Sequence, residues 1–203
     1  MGRPQGPLVV PGTFTVLLAK KVEGVLTPLS EAQTFTVESL GLATLAEKDR
    51  QSLLDFQKKA GELQRAIMGA GAAAQEAVTN LRYIKKALML TPKADPKLLE
   101  RAKELEKRLQ DAIRVIWFDR TVMSRNEAAS PSLMQRVSAQ LSTTGPITET
   151  AKRDYEIAAA AFEKLLEEMR LTIDQDVKKL GDDLEAAGAP WTPGRRLPVW
   201  KRK

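Results

Sequence analysis

The sequence predicts a mainly α protein: an elongated antiparallel three- to four-helix bundle preceded by a small β-hairpin. Three observations predict it. Apolar residues recur at spacings of three and four over residues 44–188, residues 8–38 alternate with period two, and helix-capping and helix-stopping signals sit where the long period breaks. The chain divides accordingly into a strand segment (1–43), a helical segment (44–188) and a basic tail rich in Trp and Pro (189–203).

The strand segment rests on two alternating runs. In Thr13–Lys20, Phe14, Val16 and Leu18 share a face; in Gln33–Glu38, Phe35 and Val37 do. β-branched and aromatic residues dominate both, and Pro11-Gly12 is a turn signal ahead of the first. This reads as a hairpin with a long connection, interrupted by Gly24 and Pro28, with Leu8–Val10 as a possible third strand. Two or three strands are marginal alone, so they must pack on the helices, on a partner or on further strands of the same sheet.

Thr44 opens a Thr-x-x-Glu capping box with Glu47. A seam follows through Leu53, Phe56, Ala60, Leu63, Ile67, Ala70, Ala74, Ala77, Leu81, Ile84 and Leu88, and Thr91-Pro92 stops it. A helix over 45–90 would be about 69 Å long. Gly61, Gly69 and Gly71 lie inside it, each costing about 1 kcal/mol against Ala; a close helix–helix approach or a kink would explain Gly69-Ala70-Gly71. Asp95-Pro96 starts the second helix as N-cap and first-turn proline, with a seam of Leu98, Ala102, Leu105, Leu109, Ala112 and Ile116. Its charged residues, Glu100 to Arg108, read as a solvated face that includes Glu106. Ser130-Pro131 reads as the start of a short third helix. Thr148 caps the last, whose seam runs from Ala151 through Tyr155, Phe162, Met169, Ile173 and Val177 to Leu184. Gly188 and Pro190 end it. The short 91–95 loop makes the first two helices antiparallel neighbours, with the last lying along the first and the second and third sharing the remaining side.

Function classes are narrowed mostly by exclusion. The chain of 203 residues holds no Cys and no His, which removes thiolate and imidazole chemistry, disulfides and the usual zinc ligand sets. Adjacent helical residues point about 100° apart and residues two apart about 160°, so none of the acidic pairs Glu167/Glu168, Asp174/Asp176 and Asp182/Asp183 converges on one substrate atom. The histidine of a di-iron bundle is missing, and no phosphate loop, dinucleotide glycine motif, nucleophile elbow or EF-hand loop occurs. Neither a catalytic residue, a cofactor nor a metal is therefore expected, and the chain itself is read as no enzyme.

The net charge of +6 is not a folded basic face: residues 1–44 balance, 45–190 carry +1, and the last thirteen carry +5. Nucleic acid is thus not expected as a partner. No stretch approaches the ~20 apolar residues of a transmembrane helix, and Met1–Pro7 is followed by no signal-peptide h-region. Trp117-Phe118 reads as a plug at the bundle end. Trp191, Arg195, Arg196 and Trp200 are the candidate docking residues, with docking along the bundle in cis favoured over recognition of a partner.

The segment Gly6-Pro7-Leu8-Val9-Val10-Pro11-Gly12-Thr13-Phe14-Thr15-Val16, with Gln33-Thr34-Phe35-Thr36-Val37, resembles the final strands of an Ig-like module. That module occurs in bacterial sortilin-like, BNR-repeat proteins, often labelled glycosyl hydrolases. The run Gly188-Ala189-Pro190-Trp191-Thr192-Pro193-Gly194-Arg195 is similar to the closing motif of that family, and Tyr155–Ala158 with Phe162, Leu165 and Leu166 fits its last helix. The resemblance implies that the hairpin is the remnant of an Ig-like sandwich, following an upstream β-propeller in an extracytoplasmic protein, periplasmic or secreted. No Ser-x-Asp-x-Gly-x-Thr-Trp Asp-box occurs here, so no propeller blade and no family catalytic residue carries over. The resulting expectation is a non-catalytic structural module whose partner is that propeller or another protein. The alternatives are an accessory wall or lid of a glycoside hydrolase with its catalytic residues upstream, or a self-associating coiled-coil adaptor forming a homo-oligomer. The stretch Lys20–Ala32 is longer and more apolar than a tight hairpin needs, leaving the strand register open.

Overall fold

The computed structural model describes residue 7 and residues 9–40, 45–125, 128, 130–198 and 200. The chain is mainly helical (62%), with a small antiparallel β unit ahead of the helices.

That β unit is one hairpin with two ladders. Strand β1 (Gly12–Val16) pairs antiparallel with β4 (Gln33–Val37), and β2 (Ala19–Val22) with β3 (Val25–Pro28). The expected long connection is therefore itself a ladder, closed by Glu23-Gly24 with φ of 50° and 85°. Two left-handed residues make the turn whose twist matches the strands, and glycine takes the second without penalty. The register shifts by two residues between ladders: Val16 faces Gln33, whereas Ala19 faces Pro28. The second arm thus carries two extra residues, which bulge beside Leu17 and Leu18 while the amide of Leu29 donates to the carbonyl of Leu18 at 2.8 Å. Val9 and Val10 form no strand, and Leu8 lies outside the described residues.

Helix α1 (Glu47–Met89) runs unbroken through Gly69–Gly71, about 64 Å at 1.5 Å per residue. Its N-cap is Ala46, without a side-chain cap bond; Thr44 lies outside the described residues. α2 (Pro96–Ile116) starts as expected, the Asp95 carboxylate accepting from the amide of Lys97. After it come α3 (Arg120–Ser124) and α4 (Leu133–Leu141). The N-cap of α4 is Ser132, not Ser130: Ser132 and Gln135 form a reciprocal capping box. A capping box needs a Gln or Glu three residues after the hydroxyl to return the bond: Ser132 has Gln135 there, whereas Ser130 has Leu133. α5 (Glu149–Arg170) is capped by Thr148, passes into a π-helical segment (Leu171–Val177) and continues as α6 (Lys178–Ala186). The seam reads Leu165, Met169, Ile173, Val177: three successive steps of four, which drift around an α-helix by about 40° each. The wider i→i+5 turn absorbs that drift and keeps Ile173 and Val177 against the core.

The rods form an up–down–up bundle. Ile116 meets α1 at Gly71 and Glu106 meets it at Arg82, so α2 runs antiparallel to α1. α4 continues downward: Leu141 lies by Gly61, and the buried Gln57 amide donates to the carbonyls of Leu141 and Thr143. α5 enters beside the start of α1, where Tyr155 packs edge-on to Phe56, and rises along it. Ile67, Leu81, Ile84, Leu109, Ile116, Val137, Leu180 and Leu184 are fully buried between the rods. No strand lies against any helix among the described residues.

Candidate functional site

Of the acidic pairs, Asp176 and Asp183 hold rods together, while Asp174 pairs along its own helix. Asp176 faces Arg101 at 3.6 Å and Arg108 at 3.8 Å, Asp183 faces Arg101 at 3.1 Å, and Asp174 faces Lys178 at 3.4 Å. Among the described residues no group of three or more potential metal ligands comes together, and no helix is long and apolar enough to cross a membrane.

Glu106 corrects the reading of α2 as a wholly solvated face. It is buried, paired with Lys85 and, at 3.3 Å, with Arg82. Burial raises its pKa, but the bonds and charges of Lys85 and Arg82 outweigh that and leave it below the ordinary Glu value. Two cations on α1, three residues apart, were the signal in the sequence; only the packing of α2 shows that Glu106 faces them. The Asp119 carboxylate, also below its usual range, accepts from the amide of Thr121 at 2.8 Å and opens α3.

Trp117 is a plug. Its indole lies over Gly71 so closely that a β-carbon there would stand 3.1 Å from Nε1, while Phe118 stays exposed.

The tail docks on the bundle as a strap. Gly188 (φ 67°) ends α6 in a Schellman turn, its amide bonding the carbonyl of Glu185 and that of Ala189 the carbonyl of Leu184. Gly194 (φ 84°) sits directly on Asn80 of α1. Arg195 then crosses Gly181, with its side chain only 4% exposed, pairing with Glu185 and donating to the carbonyl of Pro190 at 2.9 Å. The indole N–H of Trp191 donates to the carbonyl of Arg196 at 3.1 Å. Of the four candidate residues, Arg195 is thus an internal anchor, Trp191 is half-exposed and bonded within the strap, and Arg196 and Trp200 are exposed. Thr192 is buried, with no hydrogen-bond partner for its hydroxyl among the described residues.

The hairpin offers the other surface, which the search for site residues missed. Phe14, Val16, Phe35 and Val37 share one face of the β1–β4 ladder, the two rings stacked at 5.9 Å, while Thr13, Thr15, Thr34 and Thr36 share the other. Phe35 and Val16 are about half-exposed and Val22, Val25, Leu26 and Leu29 more so. Comparison with protein-family models, curated proteins and solved structures finds no match for this chain.

Proposed function

We propose that the chain is a non-catalytic structural and interaction module, the helical C-terminal part of a larger extracytoplasmic protein in which a sortilin-like, BNR-type β-propeller precedes the hairpin. The observation that carries this reading is the unpartnered hairpin. Its alternation separates an apolar face from a threonine face, the pattern of a strand pair with one side covered. Among the described residues nothing in the bundle covers it, and a single hairpin is too small to hold its own core. The bundle's stripes, by contrast, bury one another within one chain among the described residues. The dispersed, ion-paired carboxylates support a scaffold over an active centre.

The test is a photocrosslinking amino acid at Phe35 in the protein expressed in its native host, with mapping of the attached peptide. The expected product joins Phe35 to a β-rich segment ahead of the hairpin in the same polypeptide. Attachment only to a second copy's hairpin, or only to the helices of this chain, overturns the reading.

A further inference from the structure

Between α2 and the stretch where α5 passes into the π-helical segment lies a cavity of about 570 Å³. The volume is that of a small-molecule site. Its floor is apolar, from Leu109 and Ala112 on α2 and Leu165 and Met169 on α5. Its lips are Val115 and Leu171, large apolar side chains that are 48% and 54% exposed. The rim holds three carboxylates, Asp111, Glu168 and Asp176, against one guanidinium, Arg108. Arg108 faces Asp176 at 3.8 Å and Asp111 pairs with Arg114 at 2.8 Å, while Glu168 has no ion-pair partner among the described residues. The wall also carries a polar group: Thr172, only 6% exposed, makes no side-chain hydrogen bond among the described residues. Leu171, Thr172 and Asp176 all belong to the π-helical segment, and wide turns of this kind recur at functional sites.

We propose that this cavity is a binding site for a small primary amine with an apolar body. The apolar body takes the floor and lips out of water. The ammonium head is attracted to a rim where carboxylates outnumber cations, with Glu168 as the acid that no cation of the chain engages. A carboxylate or phosphate head would meet the same acids with repulsion. The Thr172 hydroxyl can accept from an ammonium N–H, which gives a buried polar group the bond it otherwise lacks. The inference concerns the bundle alone and stands apart from the propeller reading.

The experiment titrates the full, ¹⁵N-labelled chain with three probes that share one body and differ in the head: 4-phenylbutylamine, 4-phenylbutanol and 4-phenylbutyrate. The expected result is saturable shifts at the amides of Ala112, Leu165 and Thr172 with the amine, about tenfold weaker binding of the alcohol, and no saturable shift with the carboxylate. Glu168→Gln, at an exposed rim position, should cut the amine's advantage over the alcohol by about threefold. Glu167→Gln, which removes the same charge from an exposed position outside the cavity, should leave that advantage unchanged. No saturable shift at these amides with the amine, equal binding of amine and carboxylate, or equal effects of the two Glu variants overturns the proposal.

Discussion

Gly71 and Trp117 meet across the α1–α2 contact at a distance that admits a methyl group only if the indole shifts by a few tenths of an ångström: a β-carbon on Gly71 would lie 3.1 Å from the indole Nε1 and 3.5 Å from Ile116. Gly69, two residues earlier, looks into open space. The same dipeptide spacing thus holds two glycines with opposite consequences. Gly69→Ala should stabilise by about 1 kcal/mol through helix propensity, raising Tm by roughly 2–4 °C. Gly71→Ala should gain nothing, since displacement of the indole offsets the same propensity, and Gly71→Leu should cost about 1–3 kcal/mol by overpacking. Thermal denaturation followed by circular dichroism checks all three; an equal rise for both alanine variants would refute the close contact.

Glu106 sets an acid limb. Its folded pKa lies below its unfolded value, so the folded state binds its proton less readily. The stabilisation is full above the ordinary Glu value and is lost as pH falls through the folded pKa. Glu106→Gln should lower stability at pH 7 by about 2 kcal/mol, as expected for lost bonds to charged groups, and should flatten the dependence below about pH 4.5. Urea midpoints between pH 3 and 7 provide the measurement, and parallel curves for the two proteins would show that the clasp contributes nothing.

Gly194 keys the strap. A β-carbon there would lie 2.5 Å from the Asn80 side-chain nitrogen, and its φ of 84° disfavours any other L-residue by about 1–2 kcal/mol. Gly194→Ala should release the strap and redden Trp191 emission while helicity is retained. Removing the Asn80 side chain as well, in Asn80→Ala/Gly194→Ala, should recover only part of the loss, because the backbone penalty remains.

The hairpin and the bundle should be energetically separate. A chain starting at residue 45 should unfold at the same temperature, within a degree or so, as the full chain, since no described strand lies against a helix. Gly24→Ala should loosen the hairpin alone by roughly 1 kcal/mol, visible in amide exchange at Val22 and Val25 and absent from the bundle's thermal transition.

The seams, the caps at Asp95 and Thr148, the stop at Gly188 and the alternation of the two outer strands were all legible in the sequence, because each is a local relation: a period, or a side chain and an amide two or three residues away. The cap of α4 belongs to the same class, and there the Ser-Pro signal outshone the reciprocal bond of Ser132 and Gln135. Other features depended on what stands opposite. Glu106 is buried because α2 turns it towards Lys85 and Arg82, and Arg195 is an anchor because Gly181 leaves a path to Glu185. The inner ladder of the hairpin follows from a two-residue register shift that alternation alone does not encode. Sequence by itself determined which faces are greasy and where rods begin and end; the tertiary structure alone decided which charges and glycines meet across them, because those contacts join residues far apart in the chain whose spacing no local period records.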